Sequence, residues 1–444
     1  KPLTDPYPVV TVQLPIFNEL NVVTRLIENV VQFDYPKDRL EIQILDDSTD
    51  ETQKIAEESV NKFKKEGYNI SYIHRNKRTN FKAGALQDGM LKAVGEFIAI
   101  FDADFIPKPD FLKKLMPYFA NDDIGMVQAR WGHSNRKYSL LTKIQAVILD
   151  GHFLIEHTAR NRSGRFFNFN GTAGIWRKKT IEKAGGWQGD TLTEDMDLSY
   201  RAQIDGWKFI FVPDVVTPAE LPVDINAFKT QQGRWAKGTI QVAKKLIGEI
   251  LRSKASLKAK IEALFHLSSN FCYLFLTIVS IVLLPAIIVR LNTGSKDLFM
   301  IDIPVFVLGV LSIAYFYYTS QKELGYGFWD SIKYIPFLMS AGIGLSLNNS
   351  KCVLEGIYGY ESEFVRTPKY GITESPIKSN TIKYKSSKRN LIFYAELLMT
   401  VYFSVLLYLT IKAHLYFLVP LILLFQFGFM YFSISSILPV FKQK

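Results

Sequence analysis

Four short motifs carry the side chains that could do chemistry: Asp46-Asp47, Asp102-Ala-Asp104, Thr193-Glu194-Asp195 and Gln231-Gln-Gly-Arg234-Trp235. Asp102 and Asp104 are two carboxylates one residue apart, placed directly after Phe97–Phe101, an apolar run that reads as a buried strand. Acids just past the carboxyl end of such a strand stand where open α/β sheets bind their ligands. Carboxylates there suit Mg2+ or Mn2+ held against a diphosphate, because both cations prefer hard oxygen ligands shared with phosphates. An isolated Asp-x-Asp on a loop is ordinarily a solvated turn; the strand leading into this one argues for a ligand. Glu194 and Asp195 open a predicted helix with Thr193 as its expected cap. Carboxylates in a first turn also simply complement the helix dipole, but one placed near an acceptor hydroxyl can take its proton.

These motifs need a scaffold, and the chain in order supplies one. Val9–Leu14 is a β-branched run ended by Pro15-Ile-Phe-Asn-Glu19, and a helix over Leu20–Gln32 follows. Leu40–Leu45 is a second strand, ending in Asp46 and Asp47; Ser48 or Thr49 is expected to cap the helix that begins near Glu51. Ile70–Ile73 leads into the basic loop His74–Arg78 and then Phe81-Lys82-Ala-Gly-Ala-Leu86. Ile124–Gln128 is a further short strand and Ser139–Glu156 a helix. Strands alternating with helices at this spacing predict an α/β domain of Rossmann-like, mostly parallel character. The first turn lacks Gly-x-Gly-x-x-Gly, which argues against a nicotinamide or flavin enzyme. Phe166–Trp176 is glycine-rich, aromatic and amide-bearing, with Asn170-Gly171 at its centre. Such a stretch suits the C–H faces and hydroxyls of a sugar, or is a core strand with a bulge.

Composition bounds the rest. The chain has 444 residues, 48% hydrophobic and 14% aromatic, with a formal charge of +11. No basic motif or stacking platform marks a nucleic-acid site, so no nucleic-acid partner is expected. The basic residues crowd around long apolar runs, as at a cytoplasmic membrane face with anionic lipids. Cys272 and Cys352 lack ligand spacing, which argues against zinc and a disulfide framework. The sequence begins at Lys1, so its natural start is expected to be missing, and whether that start holds a membrane helix or signal is left open.

Taken in order, the four motifs resemble those of processive family 2 glycosyltransferases of the cellulose, chitin and hyaluronan synthase type. The text around them, Phe81-Lys-Ala-Gly-Ala-Leu86, Gln128-Ala-Arg-Trp131 and Asn168-Phe-Asn-Gly-Thr-Ala-Gly174, is similar to cellulose-synthase-like mannan and glucan synthases of plants and their bacterial relatives. The resemblance implies a GT-A type catalytic domain, a nucleotide-sugar donor such as UDP-glucose or GDP-mannose, and single-displacement transfer with inversion to a growing β-glycan. It implies Asp195 as general base with Glu194 beside it, and Asp104 as principal metal ligand with Asp102 near ribose or phosphate. Lys82 and Arg234 would add positive charge at the diphosphate, and Gln231 would bond donor or diphosphate. Asp46, Asp47, Pro15 and Glu19 would form the nucleotide slot. Trp235, with Asn170 and Gly171, would meet the acceptor sugar. Single displacement needs no protein nucleophile, which fits the lack of a Ser-His or Cys-His arrangement.

The carboxyl-terminal part reads as membrane. Residues 1–235 are expected to form the catalytic domain and 236–266 an amphipathic segment lying in the interface, with basic residues such as Lys237, Lys244, Lys245 and Arg252 between Ile240, Val242, Leu246, Ile247, Ile250 and Leu251. Residues 267–444 hold four runs long enough to span, Leu267–Val289, Ile303–Gln321, Leu391–Ile411 and Ala413–Phe441. Tyr334–Ser350, broken by Pro336, Gly342 and Gly344, reads as an interfacial or re-entrant helix. The basic loop 351–390 is expected on the cytoplasmic side with the catalytic domain and the carboxyl-terminal tail. Within it, Phe364-Val-Arg-Thr-Pro-Lys369 resembles the mobile loop that covers the donor in cellulose synthases, with altered wording. Glu396, inside an apolar run, reads either as part of a polar channel or as an acid reaching the interface. Three functions fit this plan: a processive polysaccharide synthase, a non-processive lipid glycosyltransferase, or an inactive transporter or structural membrane protein. The expected partners are the donor, a glycan or lipid acceptor and membrane lipids, with homo-oligomers or accessory subunits left open.

Overall fold

The computed structural model describes residues 7–293, 299–360, 365–372 and 391–437, with 299–302 as backbone alone. In chain order the catalytic part runs β1 (Val10–Ile16), α1 (Val23–Val31), β2 (Leu40–Asp46), α2 (Thr52–Lys65), β3 (Ile70–His74), α3 (Phe81–Lys92), β4 (Phe97–Ile100), α4 (Phe111–Leu115) and β5 (Ile124–His133). It continues through α5 (Leu140–Gly151), a π-helical segment (His152–His157), α6 (Thr158–Arg162), β6 (Gly174–Arg177), α7 (Lys178–Lys183), α8 (Glu194–Ile204) and β7 (Lys208–Ala219). The strands form one seven-stranded sheet in the order β3-β2-β1-β4-β6-β5-β7. All neighbours run parallel except β6, which is antiparallel to both β4 and β5.

The order reverses beside β1, so the carboxyl ends of β1 and β4 open a crevice at the switch point. β1, β2 and β4 have no exposed positions, because helices cover both faces. One core gathers Val10, Val12, Leu14, Leu26, Ile42, Ile44, Phe101 and Phe111 on one face of the sheet, and the other gathers Leu86, Ile98, Ile100, Phe153, Trp176 and Phe209. Burying each such aliphatic or aromatic side chain contributes about 1.5–3 kcal/mol.

Local chemistry differs from expectation at two caps. The side chain opening α2 is Asp50, whose carboxylate accepts the Thr52 N–H at 2.9 Å. Ser48 instead accepts the Asn18 N–H at 2.8 Å, tying the β1 turn to the β2 turn. Thr193 occupies the N-cap of α8 without a side-chain bond to the helix. β6 is only four residues long, so most of Phe166–Trp176 is an irregular wall and not a core strand.

The remaining helices are α9 (Ile225–Arg252), α10 (Leu257–Ser268), α11 (Phe271–Thr293), α12 (Phe299–Glu323), α13 (Phe328–Ile332), α14 (Ile335–Tyr358), α15 (Ile392–Lys412) and α16 (Val419–Ser435). A boundary at residue 235 would cut α9, a continuous helix of 28 residues. Most of its apolar stripe is covered by protein. Ile240 packs with Val353 of α14, and Val242, Leu246 and Ile250 pack with Tyr200, Ala263 and Leu267. Amphipathicity says that a face will be covered, not by what. The exposed large apolar side chains of this region are Leu251 at the end of α9 and Leu257, Ile261 and Phe265 of α10.

Among the described residues, four helices are long and apolar enough to cross a membrane: Phe271–Thr293, Ile303–Glu323, Ile392–Lys412 and Tyr416–Ser435. α14 lies among them and extends past Ser350 to Tyr358. It packs on α9, α11, α15 and α16. Its crossing with α16 is close, since a Cβ on Gly344 would lie 2.8 Å from the Gly428 carbonyl oxygen. Glu396 is fully buried, with Oε2 2.6 Å from Lys229 Nζ on α9 and that same nitrogen 2.7 Å from Ser436 Oγ. It therefore serves neither expected role. The pair joins α9 to α15 and α16, because a buried carboxylate without a cation would be strongly disfavoured. Phe364, Lys378, Lys383, Lys385, Lys388, Arg389 and the tail Phe441–Lys444 lie outside the described residues.

Candidate active site

A single pocket at the carboxyl ends of β1 and β4 brings together nearly all of the expected residues. Pro15, Glu19, Asp47, Lys82, Asp102, Asp104, Asn170, Gly171, Glu194, Asp195, Gln231, Arg234 and Trp235 all border it. Asp46 does not. Its carboxylate is turned into the protein, accepting the Ser48 N–H at 3.0 Å and the Tyr72 hydroxyl at 2.6 Å. This departs from its expected place in the nucleotide slot: the first acid of the pair, the last residue of β2, closes the turn, and only the second borders the pocket.

On the β1 side every acid is clamped. Arg75 forks onto Asp47, Nε–Oδ1 2.7 Å and NH2–Oδ2 2.6 Å. Arg366 forks onto Glu19 with both contacts at 2.9 Å. Burial raises the Glu19 carboxyl to about 7 against the opposing pull of Arg366. Lys369 Nζ sits 2.7 Å from Asp104 Oδ2, and burial of that ammonium is outweighed by Asp104 and Glu220, so its pKa rises. Glu220 takes part through both backbone and side chain. Its N–H donates to Asp104 at 3.1 Å, and its carboxylate accepts from the N–H groups of Tyr370, Gly371 and Ile372 at 3.0, 2.7 and 3.2 Å. Residues 365–372 are thereby held against the pocket, which Arg366, Thr367 and Lys369 line.

Sequence reading missed Glu220, although its signal was available: it is an acid directly after β7, the same placement as Asp47 after β2. Pro213 and Pro218 within that strand obscured it. Arg78 was passed over within a basic loop; its guanidinium lies 3.5 Å from the Phe17 ring centroid, and burial lowers its pKa to about 10.

The opposite wall is built from α3, the Asn170-Gly171 turn, α8 and α9. Lys82 in the first turn of α3 bonds Asp102 and the Gly171 carbonyl, the latter at 2.8 Å. Gly171 has φ +82°, and a Cβ there would lie 2.9 Å from Asp195 Oδ2, so only glycine fits. Asp195 accepts the Met196 N–H at 2.8 Å and forms no ion pair among the described residues. Burial first, and then the charge of Glu194, push its carboxyl up to about 7. A carboxylate titrating there can accept a proton near neutrality. Gln231, Arg234 and Trp235 follow one face of α9 at i, i+3 and i+4. Gly238, one turn on, leaves room for the start of α8, because a Cβ there would lie 2.5 Å from the Thr193 side chain.

A sequence profile described as glycosyltransferase-like family 2 matches residues 7–238. The chain belongs to that family. Among curated relatives, glucomannan 4-beta-mannosyltransferase 1 of Oryza sativa subsp. japonica is 36% identical over 401 residues, covering 87% of this chain and 72% of that one. Glucomannan 4-beta-mannosyltransferase 2 of Arabidopsis thaliana is 44% identical over 253 residues, covering 56% and 47%. This family 2 glycosyltransferase also shares its fold with the mannosyltransferase PcManGT from Pyrobaculum calidifontis, solved with GDP-Man and Mn2+. The TM-score is 0.51 at 18% identity, over 80% of this chain and 88% of that one. The chain is thus a glycosyltransferase of GT-A type fold, and the reading as an inactive transporter or structural protein falls away.

Proposed function

We propose that the protein is a membrane-embedded, metal-assisted inverting transferase that moves mannose from GDP-mannose onto the end of a growing β-glycan of glucomannan type. The observation that carries this reading is one pocket holding a paired-acid strand end, Lys82, a buried Asp195 raised to about 7 and the Trp235 ring. The names of the relatives favour a mannosyl donor over UDP-glucose. The acceptor hydroxyl attacks the anomeric carbon as the bond to the diphosphate breaks, and Asp195 takes the hydroxyl proton. Lys82 and Arg234 oppose the charge growing on the leaving diphosphate. Asp102 and Asp104 fit Mg2+ or Mn2+, since both are hard oxygen donors and a cation, Lys369 Nζ, already rests on Asp104. When bound, the metal supplies further charge neutralisation at the diphosphate. Trp235 offers an apolar face to the acceptor sugar, with Asn170 and Gly171 across from it.

Membrane placement follows from the same contacts. Residues 365–372 follow α14 in the chain, yet bond Glu19 and Asp104 of the catalytic domain, which precedes α11. Crossings by α11 and α12 return the chain to its starting side; a third by α14 would leave this segment opposite its partners. α14 is therefore read as non-spanning, the exposed apolar side chains of α10 as interfacial, and the catalytic domain as cytoplasmic, where nucleotide sugars are made. Docking of α9 directly on α14 favours processive synthesis coupled to translocation.

The test is the purified full chain in nanodiscs with radiolabelled GDP-mannose, GDP-glucose or UDP-glucose, products sized on a gel. Polymeric label from GDP-mannose, lost in chelator and restored by Mn2+, is the expected result. A single sugar recovered in the lipid extract would replace the polymer reading, and full activity in chelator would remove the metal.

A further inference from the structure

Between α5 and α6 the backbone widens into the π-helical segment His152–His157, a geometry that re-aims side chains and recurs at functional sites. The segment is braced from behind: a Cβ on Gly151 would lie 2.7 Å from the Phe316 ring and 2.9 Å from the Tyr317 ring of α12. His152 Nδ1 lies 2.9 Å from Glu156 Oε2, and its Nε2 lies 3.4 Å from Asn170 Nδ2. An imidazole making both contacts carries its proton on Nδ1, donated to Glu156, and keeps the Nε2 lone pair for the Asn170 amide. Arg160, 3.6 Å from the same Glu156 oxygen, favours the ionised carboxylate.

The other end of that amide is the informative atom. Asn170 Oδ1 is shielded and has no hydrogen-bond partner among the described residues, while Asn170 borders the pocket. The Asn170 N–H is fixed by Gln128 Oε1 at 3.1 Å, and the next residue, Gly171, lies against Asp195. A shielded acceptor left unpartnered beside the proposed general base calls for a partner that arrives with the substrate.

We propose that His152, backed by Glu156, is a positioning residue that holds the Asn170 amide with its oxygen turned to accept a hydroxyl from the acceptor-end hexose. The ligand class is a neutral β-linked sugar-chain terminus, and the inference rests on the glycosyl transfer proposed above. His152 does not touch the sugar; it decides which end of Asn170 does.

The experiment uses the full chain in nanodiscs with defined β-linked manno-oligosaccharide acceptors. The readouts are acceptor KM, donor KM and the slow hydrolysis of donor by water. His152→Leu should raise acceptor KM about tenfold while donor KM and donor hydrolysis stay within twofold. His152→Gln, which keeps an acceptor for the amide, should stay within about threefold of wild type. Asn170→Ala should give the same split, and adding His152→Leu to it should change nothing further. Equal behaviour of the Leu and Gln variants, a parallel change in donor KM, or additive effects in the double variant would each overturn the proposal. Should His152→Leu lose donor hydrolysis and so its fold, Asn170→Ala alone decides: an unchanged acceptor KM sinks the idea. A wild-type chain that hydrolyses donor but glycosylates no sugar acceptor would instead sink the functional reading beneath it.

Discussion

The two walls of the pocket treat their carboxylates in opposite ways. On the β1 side Asp47, Glu19 and Asp104 each meet a cation within 2.9 Å, two of them through arginine forks. On the α8 side Asp195 has a backbone N–H, a glycine and an acidic neighbour. An acid paired with a cation is held in fixed geometry, whereas a buried acid beside another acid keeps its proton into the neutral range; burial carries Glu19 to about 7 as well, in spite of its fork. One wall is thus suited to binding charge and the other to moving a proton. The cost of the second falls on stability, as is usual where a site needs a group in a disfavoured state.

The largest expected effect tests the proton-moving wall. Asp195→Asn should lower transfer by about 100-fold to 10,000-fold, with donor binding retained. The same substitution should raise the melting temperature at pH 8. The folded-state pKa of Asp195, about 7, lies above its ordinary 3.8, so its stabilising contribution is complete below about pH 3.8 and is lost as the pH rises through about 7. Asparagine removes that loss, and the gain should narrow as the pH falls toward 4. In the wild type, transfer should decline as the pH drops below about 7. Melting curves and rates across that range check both, and a variant less stable than wild type at pH 8 would erase the contrast between the walls.

Next in size is the clamp. Arg75→Met removes the fork from Asp47, which is 4% exposed, leaving it only the longer Arg78 contact at 3.9 Å, and should destabilise the domain by about 3 kcal/mol in denaturant titrations. A loss below 1 kcal/mol would class the fork with ordinary surface pairs. Lys369→Met should increase the affinity of the donor-free protein for Mn2+ on the order of tenfold, measured by the spin-resonance signal of free Mn2+, because an opposing cation leaves Asp104. Unchanged affinity would mean that lysine and metal do not compete. Smallest is Tyr72→Phe, which removes the hydroxyl from Asp46 and should cost about 1 kcal/mol with donor KM unaltered. A raised donor KM would return Asp46 to the nucleotide slot.

The chain itself specified the sheet's alternation, the acids at strand ends, the four runs long and apolar enough to span and the motifs on α8 and α9. These are local matters of periodicity, of turn residues and of a few side chains at fixed spacing. Which of two adjacent acids faces the pocket was not local. Asp46 and Asp47 are equivalent in sequence, and Tyr72 from β3 and Arg75 beyond it, brought in by sheet pairing, separate their fates. The same holds for Glu220, joined to residues 370–372 across 150 positions or more, and for the Lys229–Glu396 pair. It holds too for the apolar stripe of α9, most of which protein covers. Periodicity reports that a surface must be buried or a charge answered; only the packed chain selects the partner, because partners distant in sequence meet through tertiary contacts that no local pattern encodes.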